Sequence, residues 1–262
     1  MRTEAEVGMM YAEERQVAIV NRARAKGRVE VAELAEAFDV TPETVRRDLT
    51  ALERAGLLRR VHGGAIVVDL FGFEPGLAAR EAVNTEEKSR IAEAAVRFLP
   101  EEGAIALDAG SSTFRLAELI PAGRELTVVT NSLPIASLLA TRKELTVHLI
   151  GGRVRGRTLA TVDNAAVAYL RSVFVDVAFL GINGFSIARG LTTPDSAEAA
   201  VKSAFVTSAR RRVLLADHTK YGSDHFAQVA DLASVDVIVT DSDLSDIAVS
   251  DIEAAGPQVV RA

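Results

Sequence analysis

Six short apolar runs punctuate the last two thirds of this 262-residue chain: Ala104–Leu107, Leu126–Val129, Leu145–Ile150, Val177–Leu180, Val213–Leu215 and Val237–Val239. Each is rich in Val, Leu, Ile or Ala and too short for a helix. Stretches of helical period separate most of them: Glu87–Phe98, Ser112–Leu119, Leu133–Ala140, Asn164–Arg171 and Ala197–Arg210. Apolar runs without polar alternation suit strands buried on both faces, and such strands require helices over both faces of their sheet. The pattern commits the second part of the chain to an α/β fold built on a mainly parallel sheet.

The first 68 residues have a different pattern. Glu13–Lys26 carries apolar residues at Val17, Ala18, Val20 and Ala25 and stops at Gly27. Arg28–Val31 reads as an extended bridge, and Val31–Phe38 as a compact helix with Val31, Leu34, Ala35 and Phe38 on one face. Asp39-Val40 makes a turn. Thr41 then caps a third helix, with Pro42 at its first position and Glu43 in its first turn. That helix runs to about Ala55, buries Val45, Leu49 and Leu52, and ends at Gly56. Leu57–Val61 and Ala65–Val68 flank His62-Gly63-Gly64 as two strands around a turn. Three helices and a hairpin make a winged helix-turn-helix. Beyond the hairpin, Gly72, Pro75 and Gly76 interrupt any regular element, which places a linker at 69–87 between a first domain, 1–68, and a larger one, 88–262.

Charge divides along the same line. Residues 1–62 hold 11 basic and 11 acidic residues, so the whole excess behind the net charge of −6 lies downstream. Nucleic-acid binding therefore has to come from a local patch. The chain contains no cysteine, which excludes disulfides, Cys-zinc sites, iron–sulfur clusters and a cysteine nucleophile. The first sixteen residues, with their acids, do not read as a signal peptide, and no run of 18 apolar residues suggests a membrane span; the expectation is a cytoplasmic protein. No Trp and 5% aromatics argue against stacking platforms for single strands.

With Val45 and Leu49 inward, Arg47, Thr50 and Arg54 fall on the outer side of the third helix, flanked by Thr44 and Arg46. Short polar residues at a helix start permit close approach to a groove, and Arg pairs with guanine edges or phosphates. Arg59, Arg60 and His62 sit on the wing, where cations meet the sugar-phosphate backbone. The candidate DNA contacts are thus Thr41, Thr44, Arg46, Arg47, Arg59, Arg60 and His62. The segment from Glu14 to Ile66 resembles, almost end to end, the N-terminal domain of the DeoR family of bacterial transcription regulators. Its marks are T-x-x-T-V-R-R-D-L from Thr41 to Leu49 and L-x-R-V-H-G-G-A from Leu58 to Ala65, with Arg15 matching the family's first motif arginine.

Residues from about Lys88 to Asp241 resemble the same family's effector domain, which implies a Rossmann-like fold similar to ribose-5-phosphate isomerase and a phosphorylated sugar as ligand. The matching marks include Asp108 to Thr113, Thr130-Asn131-Ser132, Gly151-Gly152, Glu198 with Lys202, and Asp217 with Lys220. Two departures stand out: Ser111-Ser112 replaces the family's Thr-Thr, and Asp163 stands where the family usually has Gly. The second adds a carboxylate at or beside the pocket.

The residues support an anion site on their own account. Asp108 ends a strand, and Gly110, Ser111, Ser112 and Thr113 open the next helix, where backbone amides and hydroxyls face an anion. Thr130, Asn131 and Ser132 repeat the arrangement at the neighbouring strand end. Asp108 either accepts from a sugar hydroxyl or caps the Ser111 or Ser112 amide. Gly151 and Gly152 either admit a ligand or turn the chain; Arg153, Arg155 and Arg157 either meet phosphate or face solvent. Lys202 and Lys220 are the candidate cations. No P-loop, no GxGxxG after a strand, no HExxH and no GxSxG occurs, and His62, His148, His218 and His225 form no helical ligand pair. No metal or cofactor is expected.

The leading expectation is a repressor of a sugar-metabolism operon, a homodimer or homotetramer on double-stranded operator DNA, released by a phosphorylated sugar. The alternative is a sugar-phosphate isomerase-like enzyme with an attached DNA-binding domain, using Asp108, Asp163 and Lys220. A third reading leaves the second domain only an oligomerising role.

Overall fold

The computed structural model describes residues 12–54, 57–67 and 76–262, which fall into two compact units divided at Gly76. The first unit runs α1 (Ala12–Lys26), β1 (Arg28–Glu30), α2 (Val31–Ala37), α3 (Pro42–Arg54), β2 (Leu58–Val61) and β3 (Gly64–Val67). This is the winged arrangement that the apolar spacing predicts. The extended bridge before α2 turns out to be a strand, and the wing sheet has the order β1-β3-β2, antiparallel throughout. Gly64 makes it possible: a methyl group there would lie 2.0 Å from Val29 O. Ile19, Val20, Ala23, Leu34, Val45, Leu49, Leu52 and Leu58 fill the core.

Into that core projects an ion pair that helical periodicity does not reveal. Arg15 Nε donates to Asp48 Oδ2 at 2.6 Å and Gln16 Nε2 to Asp48 Oδ1 at 3.1 Å, both charged side chains being buried. It ties α1 to α3. The side chains of Val17 and Ala25, Gly56 as a helix stop, and the 69–75 part of the expected linker lie outside the described residues.

The second unit begins with α4 (Leu77–Glu81) and α5 (Thr85–Ala95). Then come β4 (Glu102–Leu107), α6 (Ser111–Glu118), β5 (Glu125–Thr130), α7 (Leu133–Leu139), β6 (Leu145–Leu149), β7 (Arg153–Arg155), β8 (Ala160–Val162) and α8 (Asn164–Arg171). The chain continues with β9 (Val175–Gly181), β10 (Gly184–Ser186), β11 (Gly190–Thr193), α9 (Ser196–Thr207), β12 (Ala209–Leu215), β13 (Ala227–Ala230), β14 (Val237–Thr240), α10 (Asp246–Ala254) and β15 (Gln258–Arg261).

The six apolar runs form β4, β5, β6, β9, β12 and β14 of a seven-stranded sheet ordered β15-β14-β12-β9-β4-β5-β6, every pair parallel. Strand alternation divides the core. Ile105, Leu107, Val177, Phe179, Val213 and Leu215 face a cluster with Ile91, Leu116 and Ile135 from α5, α6 and α7. Ala106, Ala178, Leu180, Leu214 and Ile238 face the opposite cluster with Leu170, Phe205 and Ile252 from α8, α9 and α10.

Several elements depart from expectation. The stretch 76–87 carries α4 and the first turn of α5 rather than a linker: Leu77 N donates to Arg157 O at 2.9 Å and Asn84 Nδ2 to Asp217 Oδ1 at 3.1 Å. Gly76 stands at the N-cap of α4, so the glycine starts an element instead of interrupting a tether. Helix α9 stops at Thr207, because Ala209 and Arg211 pair with β9 as part of β12. Gly152 opens the β7–β8 hairpin at φ +144, with Val162 O 2.4 Å from where a Cβ would stand.

Candidate functional site

Two regions gather the residues that the sequence singles out. In the first unit, Thr41 Oγ1 accepts from Thr44 N at 3.2 Å and caps α3. Burial of Val45, Leu49 and Leu52 turns Arg46, Arg47 and Arg54 outward. Arg46 meets Glu43 at 3.4 Å in an exposed pair; Arg47 has no ion pair among the described residues. Arg59 and Arg60 are exposed on β2, and His62 is exposed at the wing turn. Arg60 is partly committed: its Nη1 donates to Thr50 Oγ1 at 3.1 Å and its amide to Glu53 Oε1 at 2.9 Å, joining the wing to α3.

In the second unit the strand order turns back at β4. Strands β5 and β6 lie to one side, while β9, β12, β14 and β15 lie to the other. The carboxyl ends of β4 and β9 therefore border the crevice where parallel sheets hold ligands. Asp108 stands there, buried. Its Oδ2 accepts from Gly181 N at 3.1 Å and from Lys202 Nζ, which also donates to Gly181 O at 2.9 Å. Its Oδ1 is buried without a hydrogen-bond partner. Burial pushes the Asp108 carboxyl above the ordinary carboxylate range, against the pull of Lys202.

Shortly after Asp108, α6 begins. Gly110 is extended and offers no side-chain cap, and Asp108 does not cap it either. The first amides of a helix have no partner within it, so those of Ser111 and Ser112 stay unpaired inside α6. Neither serine hydroxyl makes a side-chain hydrogen bond among the described residues.

Other expected ligand residues serve the scaffold. Thr113 Oγ1 donates to Asp108 O at 2.6 Å, and Thr130 Oγ1 to Leu107 O at 2.6 Å. Asn131 braces two loops, accepting from Ala109 N at 2.9 Å and donating to Thr161 O at 3.2 Å. Ser132 Oγ caps α7 by accepting from Ile135 N at 3.3 Å. Gly151 and Gly152 are exposed where β6 passes into the hairpin. Lys202, expected as a ligand cation, pairs with Asp108, 94 residues away in sequence. Arg155 pairs with Glu198 at 2.5 Å and with Asp195 at 3.3 Å, and Arg153 with Asp163 at 2.8 Å.

Two cations absent from the sequence candidates, Arg80 and Lys88, also lie in this region. A methyl group at Gly110 would stand 4.0 Å from Arg80 Nη2, so the α4 guanidinium reaches the start of α6. Lys88, buried on α5, donates to Arg80 O and Val83 O; burial lowers its pKa to about 8 despite the opposite pull of Asp217. Lys220, which the sequence does single out, lies 4.0 Å from Asp217 in a 3-10 turn after β12. Burial pushes Asp217 up, but Lys220, Thr219, Lys88 and Asn84 together hold it below the usual range.

Family comparison joins the two regions. A model described as the DeoR-like helix-turn-helix domain matches residues 15–70, and one described as the DeoR C terminal sensor domain matches 83–242. The chain belongs to the DeoR family. It is a transcriptional regulator with a DNA-binding helix-turn-helix and a sensor domain. The HTH-type transcriptional regulator GlpR of Haloferax volcanii is 37% identical over 230 residues, 88% of this chain and 90% of that protein. The glycerol-3-phosphate regulon repressor of Escherichia coli is 30% identical over 224 residues, 86% and 88% of the two chains. Among solved structures, ribose 5 phosphate isomerase A from Neisseria gonorrhoeae matches at 22% identity and a TM-score of 0.38, over 52% of this chain and 53% of that one. No helix among the described residues is long and apolar enough to cross a membrane.

Proposed function

We propose that this DeoR-family regulator represses a sugar- or polyol-metabolism operon and that a small phosphorylated sugar or polyol in the β4–β9 crevice releases it from operator DNA. The observation that carries the reading is the unpartnered, buried Asp108 Oδ1 beside the uncapped start of α6. A carboxylate oxygen suits a ligand hydroxyl, and free helix amides suit a phosphate. A phosphorylated polyol carries both groups. The relative named as a glycerol-3-phosphate regulon repressor supports the ligand class and the direction of regulation.

Arg46 and Arg47 read or grip the major groove in this scheme, while Arg59, Arg60 and His62 hold the backbone. The protein binds as a cytoplasmic homodimer or homotetramer, matching the two-fold symmetry of operators. Sensing is favoured over isomerisation by the sensor-domain match over residues 83–242; of the carboxylates considered as bases, Asp108 Oδ2 is tied to Lys202 and Asp163 to Arg153. Fluorescence anisotropy of DNA from the protein's own promoter region, titrated with a panel of sugar and polyol phosphates, tests the proposal. Release by a panel member is expected, with Lys220→Ala raising the required concentration at least tenfold. DNA affinity unchanged by every panel member, with no thermal shift, would overturn it; turnover of a panel member would restore the enzyme alternative.

A further inference from the structure

Residues 77–84 touch three separate turns: that of the β7–β8 hairpin and those following β4 and β12. At one end Leu77 N donates to Arg157 O in the β7–β8 turn at 2.9 Å. In the middle, the Arg80 guanidinium reaches Gly110 at the start of α6, close enough that a methyl group there would lie 4.0 Å from Nη2. At the other end Asn84 Nδ2 donates to Asp217 Oδ1, just beyond β12, at 3.1 Å. The segment thus reaches the start of α6, two residues after Asp108, whose Oδ1 lies without a partner.

Polar ties and partial packing, with Leu77 and Val83 half-buried, hold this segment down. No side chain described between Gly76 and Asn84 is fully buried. Helix α4 has five residues, and its Arg80 carbonyl is taken by Lys88 Nζ, as is the carbonyl of Val83. A short segment with no fully buried side chain opens at lower free-energy cost than the core elements do. Charge adds a reason to move: Arg80, Lys220 and Arg115 all act on buried Lys88, while Asp217 is the opposing charge. A dianion inserted among these cations relieves their repulsion.

We infer that residues 77–84 form a strap that closes on the effector, with Arg80 clamping its phosphate against the Ser111 and Ser112 amides. This rests on the crevice being the phosphate site. Residues 68–76 alone separate the strap from the wing strand β3, so the effector is gripped by the stretch of chain that leads to the DNA-binding unit. Ligand occupancy then acts on the connection itself, giving the differential contact that a population shift requires. An Arg fork pairs with phosphate through two parallel bonds, which a lysine cannot reproduce.

The experiment measures hydrogen exchange and affinity on the full-length protein with sn-glycerol 3-phosphate, ribose 5-phosphate and inorganic phosphate as probes. A bound probe is expected to slow exchange both at Ser111–Thr113 and across 77–84, where the Arg80 amide bonds Gly76 O. Arg80→Ala should weaken that probe tenfold or more and abolish slowing in the strap, with Arg80→Lys intermediate. Asn84→Ala should speed strap exchange before any probe is added. A probe that protects 111–113 but leaves 77–84 unprotected, and that binds Arg80→Ala and Arg80→Lys as tightly as wild type, would overturn the strap and leave the crevice reading standing. Failure of all three phosphates to bind or protect wild type would overturn both.

Discussion

Replacing Asp163 by glycine should stabilise the sensor domain. Asp163 precedes α8 at φ 78 and ψ −173, a region of backbone space that residues with a Cβ rarely enter. Holding a non-glycine residue there costs roughly 1–3 kcal/mol. Nothing visible repays the cost locally: the side chain makes no cap bond to α8, and its partner Arg153 is itself well exposed. Glycine brings back about 0.5–1 kcal/mol of unfolded-state entropy. Losing an exposed ion pair subtracts little. The balance is a gain of about 1 kcal/mol, worth roughly 2–4 °C in a unit of this size. Asp163→Ala keeps the Cβ and loses the same ion pair, so it should gain nothing. Urea unfolding of wild type and both variants, monitored through the sensor-domain transition, separates backbone from charge. Asp163→Gly no more stable than Asp163→Ala would refute the argument.

In the helix-turn-helix, Asp48→Ala leaves Arg15 buried and unpaired, which should cost about 3–5 kcal/mol; circular dichroism should show the loss, and adding Arg15→Met should recover much of it. Arg47→Ala should cost about 1–3 kcal/mol in operator affinity if it reads a base, or lower the salt slope by about one if it meets phosphate, whereas Arg59→Ala should weaken specific and nonspecific DNA alike; filter binding across a salt series measures both. Lys88 holds its proton less tightly when folded, with a pKa of about 8 against 10.5, so its contribution to stability is complete above the unfolded value and is lost as pH falls toward 8. Between pH 8 and 10, wild type should gain about 2 kcal/mol relative to Lys88→Met in denaturant titrations.

What the sequence discloses is local. The winged fold is legible because Val45, Leu49 and Leu52 repeat at helical spacing and Thr41-Pro42 marks a helix start. The parallel sheet is legible because each strand is a compact apolar run. Strands β7, β10 and β11 are three or four residues long and have no period to read, and β15 offers only Val259 and Val260. Helix α10 is equally hard to see, although Ser245 caps it by accepting from Ala248 N at 3.3 Å. Site residues are harder still, because their roles depend on distant partners. Lys202 looks like any helical lysine until Asp108 is placed against it, and Asp48 looks solvated until Arg15 arrives from another helix. Arg80 sits among glycine and proline signals that read as a tether, which conceals its approach to Gly110.

The turn-back of strand order at β4 has a consequence for how the chain is made. Strands β4, β5 and β6 leave the ribosome together and can pair at once, yet the other side of β4 waits for β9, roughly 70 residues later. At about 5–20 residues per second that wait lasts about 3–14 s. Throughout it, β4, an interior strand of the finished sheet, stands as an edge, its amides and carbonyls open and Ile105 and Leu107 only partly covered. A message truncated between Thr130 and Val175 would fix that state permanently. Such a fragment would carry the winged helix on a sticky half-sheet, joining copies edge to edge while Arg46 and Arg47 stay exposed on α3.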